Sequence, residues 1–113
     1  MVKVGEHITL DIIGTDKEYD PSVYEKVINE IAKAAKVTIL NISKYKFEPQ
    51  GFTGIAMLAE SHLSIHTWPE KGMAVCDAFT CGDHTTPEKG VEYMKETLQA
   101  SDIIVNEFVR PLE

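Results

Sequence analysis

The stretch Glu60–Gly82 has the sequence E-S-H-L-S-I-H-T-W-P-E-K-G-M-A-V-C-D-A-F-T-C-G, which combines a strand pattern with many reactive side chains. Apolar and polar residues alternate over His62–Pro69, which predicts a half-buried strand. Pro69-Glu70-Lys71-Gly72 is typical of a turn, and Met73–Phe79 predicts the returning strand. Imidazoles, carboxylates and hydroxyls are costly to bury unless they are paired. We therefore expect the functional site on this hairpin.

The sequence on either side of the hairpin predicts two helices and further strands. Apolar residues alternate with polar ones over Ile8–Ile12, as in a half-buried strand. Asp20-Pro21 is typical of a helix N-cap followed by proline at the first helical position, and Thr86-Pro87-Glu88 predicts a second helix start. The apolar residues change face near Asn41, which predicts an irregular strand there. The predicted strands are 8–12, about 37–47, 55–59, 62–69, 73–79 and 103–109, and the predicted helices are about 21–35 and 86–98.

Together these elements predict one domain over residues 1–113. The expected fold class is an α/β (α+β) two-layer sandwich, a mostly antiparallel sheet with two helices on one face, in the order β-α-β-β-β-α-β. Residues 55–59 are small and apolar throughout, so we expect this strand to be covered on both faces.

Composition and charge exclude several classes of function. The 113 residues are 43% hydrophobic and 26% charged, which is typical of a soluble globular domain. The net charge of −7 disfavours nucleic acid as a partner. It suits a cationic small molecule, although solubility alone would also explain it. The chain lacks the apolar run of about 20 residues that a membrane span needs, and its N-terminus, M-V-K-V-G-E-H-I, lacks the apolar region of a secretory signal. We therefore expect a cytoplasmic protein without a membrane partner.

Two histidines and two cysteines on the hairpin raise the alternative of a tetrahedral zinc site. His62 and His66 lie four residues apart and so share a strand face, while Cys76 and Cys81 lie five apart. That cysteine spacing is looser than the usual structural spacing. Cys76 also lies inside an apolar strand, where a small buried thiol is the ordinary interpretation. We therefore predict no metal ligand.

An ordinary serine or cysteine nucleophile is a second alternative. Ser61 has no G-x-S-x-G elbow around it, which disfavours a serine hydrolase. Cys81 could pair with His66 or His84, but a cysteine and a histidine occur together often by chance.

The dipeptide Glu60-Ser61 offers a third chemistry, which is self-cleavage of the backbone. A serine in a strained turn can attack the preceding carbonyl and turn the amide into an ester, which a base breaks by removing the serine α-proton. The serine becomes dehydroalanine, which hydrolyses to a pyruvoyl group. Thr53 and His66 are the candidates for the assisting hydroxyl and the base, whereas a simple capping interaction would explain them without chemistry.

The run Glu60–Glu70, E-S-H-L-S-I-H-T-W-P-E, is followed eleven residues later by the C-G pair at Cys81-Gly82. Together with K-F-E-P-Q-G-F-T-G at Lys46–Gly54, it closely resembles the short prokaryotic class of pyruvoyl-dependent S-adenosylmethionine decarboxylases. The resemblance spans nearly the whole chain. It implies cleavage at Glu60-Ser61 into a β chain of residues 1–60 and an α chain of residues 61–113.

The resemblance also implies a covalent cofactor and an assembly. Ser61 would become the pyruvoyl group, which forms a Schiff base with the amino group of S-adenosylmethionine and acts as the electron sink for decarboxylation. The product would be the aminopropyl donor for spermidine synthesis. The family implies a homodimer of cleaved αβ units, with active sites at or near the interface.

Five further roles follow from the resemblance, position by position. His66 would be the base in processing, and Thr53, where serine is usual, would assist by hydrogen bonding. Cys81 would donate the proton in catalysis, and a thiol is mostly protonated at neutral pH. Phe47 would stack on the adenine, and Glu70 would bind the ribose hydroxyls.

Two alternatives stay open at this stage. The same pyruvoyl machinery serves decarboxylases of arginine or ornithine, so the processing residues do not fix the substrate. A processing-dead homologue would be a non-catalytic α/β binding module. For Tyr45 and Trp68, core packing and ligand contact are both compatible with the sequence.

Overall fold

One sheet and two α-helices account for most of the described chain. The computed structural model describes residues 2–15, 18–34, 37–59, 61–80 and 87–112. Within these ranges the elements are β1 Val2–Ile13, α1 Pro21–Ala34, β2 Ile39–Lys46, β3 Phe52–Leu58, β4 Ser61–Trp68, a 3-10 turn Pro69–Lys71, β5 Met73–Thr80, α2 Pro87–Thr97 and β6 Asp102–Leu112. Neither helix has both the length and the apolar composition needed to cross a membrane.

The sheet has the strand order β2-β3-β4-β5-β1-β6, and all five neighbouring pairs are antiparallel. Both helices pack on the same face, so the predicted two-layer sandwich is confirmed. Four strands lie between the helices, which agrees with the four strand segments predicted there. The predicted order β-α-β-β-β-α-β has one strand too few. The first strand of the chain lies between β5 and β6.

The core lies between the helices and one face of the sheet. Alternate residues of each central strand point to this face, as the period-two pattern predicted. Burying a large aliphatic side chain completely contributes about 1.5–3 kcal/mol. Among the described residues, the largest fully buried side chains are Ile12, Tyr24, Val27, Ile28, Ile65, Met94 and Leu98.

Helix α1 begins as the sequence predicted. The carboxylate of Asp20 accepts hydrogen bonds from the backbone N–H of Ser22 (3.0 Å) and from the Ser22 hydroxyl (2.6 Å). These hydrogen bonds lower the pKa of Asp20 below its ordinary value. Asp20 is therefore the N-cap, and Pro21 occupies the first helical position.

The face of the sheet opposite the helices, called the open face below, carries exposed apolar side chains. In β3, Ile55 and Met57 are 47% and 57% exposed, so the prediction that 55–59 is covered on both faces is wrong for the single chain. The helices supply only one covering layer. The irregularity predicted near Asn41 is confirmed, because the β2–β3 register shifts between Ile39 and Asn41.

Candidate active site

A cavity of about 340 Å³ opens beside β3 and β4, and it gathers most of the predicted site residues. Its walls come from the loop after β2, from two paired strands and from the 3-10 turn. The volume is within the range of small-molecule sites. Among its lining residues are Phe47, Gly51, Thr53, His66, Trp68 and Glu70.

Thr53 and His66 form a polar pair in the cavity wall. They are cross-strand partners in β3 and β4, and the Thr53 hydroxyl lies 3.0 Å from His66 Nδ1. Both are half-buried and alternate with core residues, so both side chains point to the open face. The hydroxyl donates to Nδ1 or accepts from it, according to the imidazole tautomer. The pair can therefore hold an imidazole ready to move a proton.

The loop that carries Phe47 is fixed from two sides. The backbone N–H of Phe47 donates to the Gly51 carbonyl at 2.9 Å, and Gly51 adopts φ +112°, a conformation that favours glycine. On the other side, Glu18 Oε1 accepts a hydrogen bond from the Gly51 N–H at 3.2 Å. The same oxygen lies 3.3 Å from Lys46 Nζ. The hydrogen bond to Glu18 raises the pKa of Lys46. Glu18 thus ties the segment before α1 to the cavity wall.

Aromatic faces and a carboxylate complete the cavity. Trp68 is 38% exposed, and its ring centroid is 6.2 Å from that of His66. Glu70 is exposed on the 3-10 turn. Tyr45 packs edge-on against Phe47, with centroids 4.8 Å apart, rather than in the core. Such aromatic faces together with carboxylates favour a cationic ligand.

Ser61 lies at the other end of β4 from this cavity. It is the first residue of the strand and pairs with Leu58, so only two residues form the turn between β3 and β4. Glu60, in that turn, lies outside the described residues. His66 lies five positions after Ser61, and an extended strand covers about 17 Å over that length. Within one chain, therefore, the structure brings His66 together with Thr53 but not with Ser61.

Cys76 does not share a site with the histidines of β4. Cys76 pairs with Ile65 and is buried on the helix-covered face, with Sγ 3.9 Å from Met94 Sδ. His62 and His66 alternate with the core residues and point to the open face. The odd-even pattern of the strands therefore separates Cys76 from both imidazoles. Cys81 lies outside the described residues.

Comparisons with known proteins place this sequence and fold in one family. The family model described as S-adenosylmethionine decarboxylase matches residues 6–111. The S-adenosylmethionine decarboxylase proenzyme of Synechococcus sp. (strain WH7803) is 47% identical over 109 residues, which is 95% of this chain and 85% of that protein. The proenzyme of Methanococcus vannielii is 41% identical over 112 residues, covering 97% and 92%.

A solved structure gives the same answer for the fold. The crystal structure of the adenosylmethionine decarboxylase from Aquifex aeolicus VF5 superimposes with a TM-score of 0.84 at 32% identity, covering 100% of this chain and 95% of that one. The fold is thus that of a decarboxylase family. The chain belongs to the S-adenosylmethionine decarboxylase family.

Sequence reasoning found four of the cavity residues by resemblance and missed Glu18. The carboxylate of Glu18 reaches Gly51 across 33 positions of sequence, and no periodic pattern or local motif marks such a contact. The local signal in the sequence is the turn that contains Gly51, because a backbone N–H that is buried in a turn needs a partner.

Proposed function

We propose that this chain cleaves itself at Glu60-Ser61 and then decarboxylates S-adenosylmethionine, giving the aminopropyl donor for spermidine synthesis. Membership of the family supports the activity. The observation that carries the proposal is the cavity in which an imidazole, a hydroxyl, aromatic faces and carboxylates converge. A sulfonium substrate suits those aromatic faces and the net charge of −7.

The self-cleavage uses groups of the chain alone. The Ser61 hydroxyl attacks the Glu60 carbonyl carbon, and the Ser61 nitrogen leaves it, so the peptide bond becomes an ester. A base then removes the Ser61 α-proton, and the Glu60 carboxylate departs as the new C-terminus of a β chain, residues 1–60. The dehydroalanine left on the α chain, residues 61–113, takes up water and releases ammonia. Ser61 fits this role because it directly follows a two-residue turn.

The base in this scheme comes from a second copy of the chain. His66 is about 17 Å from Ser61 along the same strand, too far for proton transfer. In this homodimer the two sheets pack through their open faces, with the β4 strands running in opposite directions. The Thr53–His66 pair of one copy then lies against the end of β4 that carries Ser61 in the other copy. Exposed apolar side chains on that face, Ile55, Met57, Ile104 and Phe108, favour burial in such an interface.

The remaining roles concern decarboxylation. The pyruvoyl carbonyl supplies the electron sink. Phe47 stacks on the adenine and Glu70 binds the ribose hydroxyls, and both line the same cavity as His66. Cys81 protonates the substrate α-carbon. This role rests on the sequence, because Cys81 follows Thr80, the last described residue of β5.

Intact mass spectrometry of the purified protein tests the proposal. We expect two fragments, residues 1–60 and 61–113, the second beginning with a pyruvoyl group rather than an amine. Ser61→Ala should leave one intact chain without activity, while the matched control Ser64→Ala, on the same strand, should cleave normally. A single intact chain that still releases CO₂ would overturn the mechanism.

Substrate identity needs a separate assay of CO₂ release. S-adenosylmethionine, arginine and ornithine are supplied side by side to the cleaved protein. We expect release from S-adenosylmethionine alone. Release only from arginine or ornithine would refute the substrate and leave the self-cleavage in place. Cleaved protein that is inactive on all three substrates would refute the decarboxylase.

A further inference from the structure

Three potential metal ligands lie close together on the open face, away from the cavity that His66 lines. His7 of β1, His62 of β4 and Asp77 of β5 each offer a ligand atom, and these atoms all lie within 4.8 Å of one another. The strands β4, β5 and β1 are consecutive in the sheet, which holds the three backbones at fixed spacing. His62 directly follows Ser61 in sequence. The cluster therefore occupies the same end of the sheet as the proposed cleavage bond.

His7 and Asp77 lie close together, but their geometry is not that of a hydrogen bond. His7 Nε2 lies 3.1 Å from Asp77 Oδ1, close enough for an ion pair. Yet Oδ1 is shut off from solvent and accepts no hydrogen bond of acceptable geometry from the described residues, although the Asp77 side chain as a whole is 45% exposed. A buried carboxylate oxygen without a donor is unfavourable. A cation bound to it would remove this cost.

The spacing of these atoms suits a metal ion. Zinc bonds of about 2.0–2.1 Å at a tetrahedral angle place neighbouring ligand atoms about 3.4 Å apart. The separation of 3.1 Å between His7 Nε2 and Asp77 Oδ1 is close to that value. The ligand atom of His62 lies within 4.8 Å of both, and a rotation of this exposed side chain is needed to bring it into bonding range.

Phe79 constrains both imidazoles. Its ring lies 5.4 Å from the His7 ring at 60° and 6.1 Å from the His62 ring at 24°, while the two imidazoles are 5.9 Å apart. The phenyl ring therefore limits the orientations of both histidines and provides an apolar wall. Such a wall lowers the local dielectric constant and strengthens the attraction between a cation and Asp77.

From this geometry we propose that His7, His62 and Asp77 bind a first-row divalent metal ion, with Zn²⁺ as the best match. Two imidazoles and one carboxylate suit zinc, whereas Mg²⁺ and Ca²⁺ prefer oxygen ligands alone. Three protein ligands leave a fourth position for water. None of these ligands has a chemical role in the proposed self-cleavage, but all three lie on the open face that packs against the second copy in the proposed dimer.

Metal titration of the untagged, full-length protein tests this site. The chelator-treated protein is titrated with Co²⁺, read by its visible absorption, and with Zn²⁺ in competition, in the wild type and in Ser61→Ala. We expect one equivalent of metal per chain in both proteins. His7→Ala, His62→Ala and Asp77→Asn should each weaken the affinity by roughly 100-fold or more. Excess Mg²⁺ should not displace the cobalt.

Controls separate this site from general attraction to an acidic protein. Asp11, on β1, also lies on the open face. Asp11→Asn removes one negative charge, as Asp77→Asn does, but it should leave the affinity unchanged. His66→Ala should also keep the metal. His7→Gln and His62→Gln replace any alanine variant that circular dichroism shows to be unfolded. The absence of binding by wild type, or equal loss in Asp11→Asn or His66→Ala, overturns the assignment.

Discussion

At position 53 the hydroxyl, rather than the methyl group beside it, makes the contact with His66 Nδ1 at 3.0 Å. We expect Thr53→Val to slow self-cleavage about tenfold, because the loss of one hydrogen bond costs about 1–1.5 kcal/mol and 1.4 kcal/mol is a factor of ten in rate. Thr53→Ser keeps the hydroxyl and should cleave at nearly the wild-type rate. The rate is measured from the fragment masses over time. Equal rates for all three proteins would remove Thr53 from the mechanism.

Cys76 should make the free energy of unfolding depend on pH in the alkaline range. Burial raises the pKa of its thiol from 9.0 to about 12, with a smaller contribution from the charge of Asp77. The folded chain therefore holds the thiol proton above pH 9, where the unfolded chain loses it. The free energy of unfolding should then fall between about pH 9 and 12, by up to about 1.4 kcal/mol per pH unit from this group.

The Cys76 contribution is isolated by comparison with Cys76→Ala. Urea unfolding of uncleaved Ser61→Ala protein, with and without the second substitution, is measured at pH 8, 9, 10 and 11. We expect the free-energy difference between the two proteins to shrink as the pH rises, because the variant lacks this ionisation. Parallel curves over the whole range would contradict the raised pKa.

At the scale of elements, the segment before α1 controls the loop after β2. Glu18→Ala leaves the Gly51 N–H without its carboxylate and frees the loop that carries Phe47. We expect KM for S-adenosylmethionine to rise roughly tenfold with kcat nearly unchanged, since a lost binding contact affects ground and transition states alike. The steady-state kinetics of the cleaved enzyme measure both constants.

Glu25 supplies the matched control for Glu18. It also pairs with a β2 lysine, Lys44, at 3.0 Å, but it does not contact the 47–51 loop. Glu25→Ala should therefore leave KM unchanged. An equal rise in KM for both variants would mean that Glu18 acts through general charge or stability rather than through the loop.

The secondary structure was predictable wherever local patterns determine it. Alternation in β1 and β4 and the Asp20 N-cap of α1 were predicted from spacing alone, and the structure confirms them. The exposure of Ile55 and Met57 was not predictable, because an apolar run looks the same whether its second covering layer belongs to the chain or to another molecule. The contact of Glu18 was also not predictable, because its partner Gly51 is far away in sequence.

At the scale of the whole molecule, the proposed self-cleavage needs a second copy of the chain, because Ser61 and His66 of one chain are too far apart for proton transfer. Mixing two inactive chains tests this directly. Ser61→Ala and His66→Ala should each remain uncleaved alone, but when they are unfolded together and refolded as mixed dimers, the His66→Ala chain should be cleaved. Its Ser61 would then face the intact His66 of the other copy. Mass spectrometry identifies which chain is cut.

The control for complementation carries both substitutions in one chain. Mixed dimers of the double variant with wild type contain no complete pair and should stay uncleaved, while the wild-type homodimers in the same mixture are cut. Failure of the two single variants to complement each other, with dimers confirmed by mass, would place the base within one chain. The sequence could name both residues but not this separation, because strand register sets the distance.

The position of β1 determines what the proposed scission leaves behind. This strand belongs to residues 1–60, yet it lies between β5 and β6, which belong to residues 61–113, and β3 adjoins β4. Three hydrogen-bonded ladders therefore span the two polypeptides, and neither can depart while the sheet persists. In the proposed scheme the sheet assembles first, because the Thr53–His66 pair that acts on the bond forms only across the folded strands. After that, the ladders hold the two polypeptides together without the peptide bond.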